Sequence, residues 1–160
     1  MPSEVIDVVK GTSGSPGQLV GSFDMSRTTG VLYKNTSQGI FGKLTDSSVY
    51  KNEEAVEVAA TEDVKCGKIE IIANVNGTEK QVYTAEITKI LDTNPDSSRS
   101  FSIKITDDRL KNDTGGIVQG MSGSPILQNG KLVGAVTHVL INDPTQGYGI
   151  LTENMLAAAN

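Results

Sequence analysis

The sequence predicts an all-β, mostly antiparallel domain with one short C-terminal helix. Val, Ile and Thr recur in short runs, and in several runs apolar and polar residues alternate with a period of two. The helix-forming residues show no 3.6-residue period before the C-terminal tail. The 17 glycines and two Asn-Gly dipeptides supply the turns that such a fold needs. No repeat, linker or low-complexity tract divides the chain, so residues 1–160 are predicted to form a single domain.

The N-terminal part of the sequence predicts a turn followed by three short strands. Residues 11–17 are a cluster of Gly, Ser, Thr and Pro, which is typical of a turn. Strands are predicted at residues 30–34, 39–44 and 55–60.

The central part predicts a hairpin, a third strand and a polar loop. Residues 68–75 and 79–91 flank Asn76-Gly77, which is a strong type I′ turn signal. Apolar residues then alternate with polar ones over residues 101–105 and predict another strand. Residues 109–116 are predicted to form a polar loop.

The C-terminal part predicts a second hairpin and the one helix. Residues 126–139 surround Asn129-Gly130, again a hairpin signal. Thr152 is placed to cap a short helix that runs through Met155 and the alanines after it.

Composition excludes several functional classes. The net charge is −5 and the fourteen basic residues form no cluster, so nucleic acid is not an expected partner. The single cysteine, Cys66, has no intramolecular disulfide partner; a reactive thiol is the alternative, but its segment is interpreted as the entry to a strand. No run approaches the ~18 apolar residues of a membrane span, and the N-terminus lacks a signal peptide. No metal site or cofactor is predicted.

The stretch Gly120-Met121-Ser122-Gly123-Ser124-Pro125 carries the clearest chemical signal. A serine hydroxyl attacks a carbonyl only when a base removes its proton and nearby donors stabilise the oxyanion. Small residues on both sides of Ser122 let the backbone bend sharply. The N–H groups of Gly120 and Ser122 are then the candidate donors of an oxyanion hole.

The chain contains an internal control for this motif. Thr12-Ser13-Gly14-Ser15-Pro16 nearly repeats it, with Ser13 in the position of Ser122. The N-terminal copy is followed by a polar stretch and not by a predicted hairpin. We therefore interpret Ser13 as a turn residue and Ser122 as the candidate nucleophile.

A longer pattern resembles a known family. Chymotrypsin-like serine peptidases place a Gly-x-Ser-Gly-Gly-Pro loop before the final hairpin of their second β-barrel, and the chain is more narrowly similar to the stage IV sporulation protein B family. The matching runs are Lys10-Gly11-Thr12, Pro16-Gly17, Gly39-Ile40-Phe41-Gly42, Lys104-Ile105-Thr106-Asp107, Arg109-Leu110, residues 114–125, Gln128-Asn129-Gly130-Lys131, residues 134–139, residues 142–145 and Gly147-Tyr148-Gly149. The match spans the chain and is strongest from residue 103 to 150.

The resemblance implies a fold and a set of site residues. The fold is a chymotrypsin-like double β-barrel whose first barrel is incomplete. Ser122 is implied as the nucleophile and Asp107, fifteen positions earlier, as the acid of the triad. The alternative for Asp107 is a turn or helix-cap residue beside Asp108.

The resemblance also implies that the catalytic base lies outside this chain. In the family, a membrane or signal segment, a PDZ domain and the histidine-bearing segment precede the part that matches here. The only histidine, His138, lies in the wrong place for the base. It belongs instead to Val136-Thr137-His138, which the resemblance places on the strand that pairs with the substrate backbone.

The implied function is a serine endopeptidase of sporulation signalling. Such an enzyme is exported to the space between the two membranes of the developing endospore. There it cleaves a membrane-anchored regulator so that a late sigma factor is processed. Without its histidine, the chain alone is expected to be inactive. Two alternatives remain: a non-catalytic binding module with a peptidase-like cleft, and an unrelated β domain in which the Ser122 loop is only a turn.

Overall fold

The computed structural model describes residues 1–159 and contains ten strands and two α-helices in that range. The strands are β1 Ser3–Val9, β2 Gln18–Phe23, β3 Gly30–Thr36, β4 Gly39–Leu44, β5 Gly67–Ala73, β6 Gln81–Ile90, β7 Phe101–Ile105, β8 Pro125–Gln128, β9 Lys131–Leu140 and β10 Asp143–Leu151. The helices are α1 Asp108–Thr114 and α2 Thr152–Ala159. Strands predominate, and all strand ladders are antiparallel, so the predicted fold class is confirmed.

The C-terminal half forms a closed six-stranded barrel. Its strands follow the order β10-β7-β6-β5-β8-β9 around the wall. The period of two in the sequence places alternate apolar side chains inside, where Ile71, Phe101 and Ile103 are completely buried. This barrel holds most of the hydrophobic core.

The N-terminal half forms no second closed barrel. β1 pairs with β2 and β3 pairs with β4 in two separate two-stranded sheets. Large apolar side chains remain exposed there, including Ile6 at 61%, Phe23 at 64% and Leu32 at 67%. The incomplete first barrel that the resemblance implied is therefore present as two open hairpins.

Residues 109–116 are largely helical, so the predicted polar loop is wrong. The Asp107 carboxylate accepts the N–H of Arg109 and caps the first turn, and Gly115 ends the helix at a left-handed φ of 80°. The helix α1 has only seven residues and buries Leu110 and Thr114. The sequence shows no 3.6-residue apolar period here, because the helix is short and buries only one aliphatic side chain.

The two Asn-Gly dipeptides behave differently. Asn129 and Gly130 both have positive φ, 52° and 79°, and join β8 to β9 in the tight turn that was predicted. At the other dipeptide only Gly77 has positive φ, so the type I′ prediction is wrong there. Gly77 lies instead in a longer loop between β5 and β6, where it exchanges two backbone hydrogen bonds with Val5 of β1.

Other strand predictions met mixed outcomes. The prediction at 39–44 matches β4, whereas residues 55–60 form only an isolated bridge between Val58 and Leu132. β1, β2 and β10 were not predicted. Cys66 is exposed and directly precedes β5, as interpreted from the sequence.

The C-terminal helix is confirmed, although Thr152 is its first residue and not its cap. Asn154 is buried in this helix and donates to the carbonyl oxygen of Asn94 at 2.8 Å, which ties α2 to the loop before β7. Within residues 1–159, no helix is long and apolar enough to cross a membrane.

The packing of the barrel interior predicts that any side chain at position 149 destabilises the fold. A Cβ at this position would lie 2.3 Å from Cε2 of Phe101, which has no room to move in the barrel. We expect Gly149→Ala to lower the free energy of unfolding by about 1–3 kcal/mol in urea denaturation. In the double variant Phe101→Leu/Gly149→Ala, the loss should be smaller than the sum of the two single losses, because the shorter side chain frees space. Additive losses would contradict this packing.

Candidate active site

The segment between β7 and β8 crosses one end of the barrel. β7 and β8 lie three positions apart in the strand order whichever way the six-stranded wall is followed. Residues 106–124 must therefore span the barrel from one wall to the opposite wall. This segment contains both Asp107, at its start, and Ser122, near its end.

The Ser122 loop is bound to the edge of β9. The Ser122 hydroxyl donates to the carbonyl oxygen of Thr137 at 3.0 Å, and the N–H of Gly123 donates to that of Val136 at 2.8 Å. The neighbouring side chain of Met121 is buried and anchors the loop in the core. Ser122 itself is exposed, so its hydroxyl is accessible to a substrate.

A β-bulge in β9 lies beside this serine. His138 pairs with Tyr148, but Val136 and not Thr137 pairs with Gly149, so Thr137 is the extra residue. A bulge re-aims the backbone of the strand that carries it. Here the carbonyl of Thr137 points to Ser122, away from β10.

The predicted oxyanion donors are unpaired. Among residues 1–159, neither the N–H of Gly120 nor that of Ser122 has a hydrogen-bond partner. Gly120 has a φ of 101°, a conformation that glycine adopts without strain and that other residues avoid. Two free N–H groups flanking a bend are the donors that an oxyanion hole requires.

The N-terminal strand β2 holds the base of this loop. The N–H of Leu19 donates to the carbonyl of Gln119 at 2.8 Å, and the N–H of Gln119 donates to that of Gly17 at 2.9 Å. A Cβ on Gly120 would lie 3.1 Å from Cβ of Leu19, so the two backbones pack closely. No local pattern in the sequence indicates this contact, since it joins segments about a hundred residues apart.

Asp107 is fully engaged in structural contacts. One carboxylate oxygen accepts the N–H of Arg109 at 2.9 Å and its Nε at 3.1 Å; the other accepts Nη2 of Arg109 at 2.9 Å and the N–H of Thr84 at 3.2 Å. These four bonds use the acceptor sites of both oxygens. The hydrogen bonds from Arg109 lower the pKa of Asp107 to about 2, against a smaller opposing effect of burial. These contacts are the ones expected of a helix-cap residue, which is the alternative interpretation of Asp107 given in the sequence analysis.

The position of Asp107 also separates it from Ser122. Thr84 lies on β6, and β6 lies opposite β9 in the barrel wall. Two clefts contain Ser122, and Asp107 lines neither of them. The structure thus joins Ser122 to Val136, Thr137 and His138, while Asp107 lies across the barrel end; its role as triad acid stays a prediction.

Two clefts flank Ser122, and His138 lines both. The larger, about 570 Å³, lies between Ser122 and the tip of the β3–β4 hairpin. The smaller, about 210 Å³, lies between residues 117–119 and the end of β9. Partial burial lowers the pKa of His138, and the nearby charge of Arg99 lowers it further, so both effects favour the neutral imidazole. No carboxylate in residues 1–159 hydrogen-bonds His138 to orient it.

Metal ligands are not clustered in the described part of the chain. Residues 1–159 contain no group of three or more His, Cys, Asp or Glu side chains placed to hold a metal ion.

Comparison with known proteins gives one family and one fold. The family model described as SpoIVB peptidase S55 matches residues 1–156. The crystal structure of the Rv3671c protease in an inactive form is similar at a TM-score of 0.58 and 12% identity, over 97% of this chain and 85% of that one. A serine-to-alanine mutant of Rv3671c from M. tuberculosis H37Rv, also in an inactive form, is similar at a TM-score of 0.59 and 11% identity, over 97% of this chain and 82% of that one. No curated protein matches the sequence.

The contacts of Asp107 predict a stability effect. Because its pKa is depressed, the carboxylate stabilises the folded state above its unfolded pKa of 3.8, and this contribution is lost as the pH falls through about 2. We expect Asp107→Asn to lower the free energy of unfolding by about 1 kcal/mol at pH 7, since Arg109 is exposed and partly screened.

The neighbouring Asp108 is the matched control. Its side chain is 87% exposed and pairs only with Lys111, so Asp108→Asn should change stability by less than about 0.5 kcal/mol. The difference between the Asp107→Asn variant and the parent should shrink as the pH is lowered from 4 towards 2. Equal stability of the two variants at pH 7 would contradict the anchoring role of Asp107.

Proposed function

The chain belongs to the SpoIVB peptidase S55 family, a family of serine peptidases, and we propose that Ser122 is the nucleophile of a serine endopeptidase. The observation that carries this proposal is the geometry of the Ser122 loop. The serine is exposed, its loop is fixed to β9, and the N–H groups of Gly120 and Ser122 are unpaired on either side of the bend.

The proposed reaction is acyl transfer from a peptide to the serine and then to water. The Oγ of Ser122 attacks the carbonyl carbon of the scissile bond while its proton passes to a base. The carbonyl oxygen becomes an oxyanion and accepts the N–H groups of Gly120 and Ser122. The base then gives its proton to the leaving amine, and the acyl-enzyme forms. In the second half, the base takes a proton from a water that attacks the acyl carbon, the same N–H groups stabilise the oxyanion, and the base returns the proton to Oγ as the acid leaves.

The substrate backbone has a place along β9. A Cβ on Gly147 would lie 2.3 Å from the carbonyl oxygen of His138, so this carbonyl points towards β10. The backbone N–H and carbonyl of Val139 then point to the other edge of β9, as does the carbonyl of Thr137. At this level, no strand of residues 1–159 covers that edge. An extended peptide can pair with this edge by strand addition, with its carbonyl carbon near Ser122.

We further propose that the base is a histidine outside this chain and that residues 1–160 alone are nearly inactive. The hydroxyl of Ser122 donates to a backbone carbonyl and not to an imidazole. A peptidase without its base retains about 10³–10⁴-fold catalysis over water. Asp107 acts as triad acid in this proposal only if Arg109 releases one carboxylate oxygen to that histidine.

The biological setting is proposed from the family. The substrate is a protein, and we propose a membrane-anchored regulator whose cleavage triggers processing of a late sigma factor. The proposed location is the space between the two membranes of the developing endospore. We propose no nucleic-acid partner, since the net charge is −5 and the fourteen basic residues form no cluster in the sequence.

A second candidate function is a non-catalytic module that binds peptides in the same cleft. The observation in its favour is the unactivated hydroxyl of Ser122, which has no base within hydrogen-bond distance in residues 1–159. Such a module would pair a peptide with the edge of β9 and would not cleave it.

A fluorophosphonate probe with added imidazole separates the two functions. Imidazole can enter the 570 Å³ cleft beside Ser122 and take the serine proton in place of the missing base. We expect imidazole to accelerate labelling at least 10-fold, with mass spectrometry locating the adduct on Ser122. Ser122→Ala should abolish the adduct, and Ser13→Ala, in the near copy of the motif, should leave it unchanged.

An adduct on Ser13, or equal labelling of both serines, would show that the probe reports exposure and not an oxyanion hole. If Ser122 is not labelled at any imidazole concentration, the result contradicts the peptidase mechanism and favours the binding module.

A further inference from the structure

The β3–β4 hairpin differs from the rest of the chain in charge. Residues 25–45 contain Arg27, Lys34 and Lys43 and no carboxylate, so all 19 acidic side chains of a chain with net charge −5 lie elsewhere. Arg27 pairs with Asp46 at the base of the hairpin. Lys43 is exposed and forms no ion pair in the described part of the chain. The hairpin therefore carries positive charge on an acidic protein.

Large apolar side chains of the same hairpin face solvent. Val31, Leu32 and Tyr33 are consecutive in β3 and are 60%, 67% and 65% exposed. Val31 and Leu32 point to opposite faces of the strand, so both faces of β3 are open. Leu44 of β4 is also about half exposed. Among residues 1–159, no other strand pairs with this hairpin. Its surface is therefore both apolar and basic.

The strands of this hairpin are poorly suited to pairing with a further strand. Lys34 and not Tyr33 pairs with Phe41, so Tyr33 is the extra residue of a β-bulge in β3. Bulges and lysines on edge strands are features that keep an exposed edge from pairing with another chain. Symmetric pairing of two copies would also bring the positive charges of both hairpins together. The surface therefore suits a partner that contacts its side chains and not its backbone.

We propose that the β3–β4 hairpin binds the surface of a bilayer that contains anionic lipids. Val31, Leu32 and Leu44 enter the boundary between headgroups and acyl chains, while Tyr33 lies at the level of the headgroups. The lysine ammonium groups attract the lipid phosphates. A fluid surface can contact both open faces of β3, because it needs no groove of matching shape. The unpaired backbone groups of the outer edges need water or headgroup partners, which keeps the hairpin out of the hydrocarbon core.

The position of the hairpin links this surface to Ser122. Its tip, residues 35–40, lines the larger cleft beside Ser122, and Nε2 of Gln38 donates to the carbonyl of Asp96 at 3.0 Å, which fixes the tip to the loop before β7. The seven residues of β3 extend roughly 20 Å. A bilayer bound along the hairpin therefore lies close to the cleft. If Ser122 is the nucleophile of the proposed function, the substrates within reach are peptide segments near a membrane surface.

Vesicle sedimentation tests the proposal on the chain as it exists. One set of vesicles contains phosphatidylcholine mixed with phosphatidylglycerol, and the other contains phosphatidylcholine alone. We expect the chain to bind the anionic vesicles at least about 5-fold more tightly, since each basic side chain near an anionic surface strengthens binding by about this factor. The difference should disappear at high salt, where the charges are screened.

Matched variants test which part of the chain binds. Leu32→Ser and Lys43→Glu should each weaken binding to the anionic vesicles at least about 5-fold. Both side chains are exposed, so the fold is spared, and thermal unfolding checks this. Phe23→Ser is the control for Leu32: Phe23 is equally exposed on the β1–β2 hairpin, whose strands contain two carboxylates and no basic residue. Lys89→Glu, on β6, makes the same charge change as Lys43→Glu at another exposed position. Both controls should bind like the parent.

The outcomes distinguish this proposal from the proposed function and from other partners. Ser122→Ala should bind vesicles like the parent, because binding does not use the nucleophile. Equal binding to both kinds of vesicle contradicts the proposal, as do equal effects of each variant and its control. Failure to bind either kind of vesicle also contradicts it. If the chain then forms a dimer that Leu32→Ser abolishes in analytical ultracentrifugation, the hairpin instead binds a second copy.

Discussion

The backbone tie between β2 and the Ser122 loop is the constraint on which the site depends. Two hydrogen bonds join Gln119 to Gly17 and Leu19, and a neighbouring bond joins the N–H of Gly11 to the carbonyl of Thr114. Residues 106–124 cross one end of the barrel, and the part after α1 is bonded to β2 on one side and to β9 on the other. Held between β2 and β9, the loop keeps the donors of Gly120 and Ser122 free.

This constraint gives the poorly packed N-terminal half a role in the chemistry. β1 and β2 bury little apolar surface, and a two-stranded hairpin is marginally stable by itself. Their stability comes from contacts with the barrel, including the Val5–Gly77 pair and the turn around Gly14, whose N–H donates to the carbonyl of Ile141. The barrel therefore orders the hairpin, and the hairpin in turn orders the loop that carries the nucleophile.

The sequence predicted those features that local patterns determine. Alternation predicted β6 and β7, the Asn129-Gly130 turn has the φ values that type I′ requires, and the Ser122 motif lies before a hairpin as expected. Features that depend on distant partners were missed. Gly77 pairs with Val5 and so cannot make a tight turn, and the Thr137 bulge depends on the register with β10. For Asp107 the local signal of a helix cap was present, but α1 is too short to show an apolar period.

In the proposed mechanism, the unpaired N–H groups of Gly120 and Ser122 form an oxyanion hole beside the nucleophile. A crystal structure of the chain with a peptide boronic acid tests this arrangement. We expect a bond from Oγ of Ser122 to boron, with one boronate oxygen about 3 Å from both the Gly120 and the Ser122 nitrogen. A boronate bonded elsewhere, or bonded to Ser122 with its oxygens turned away from both nitrogens, would contradict the proposed mechanism.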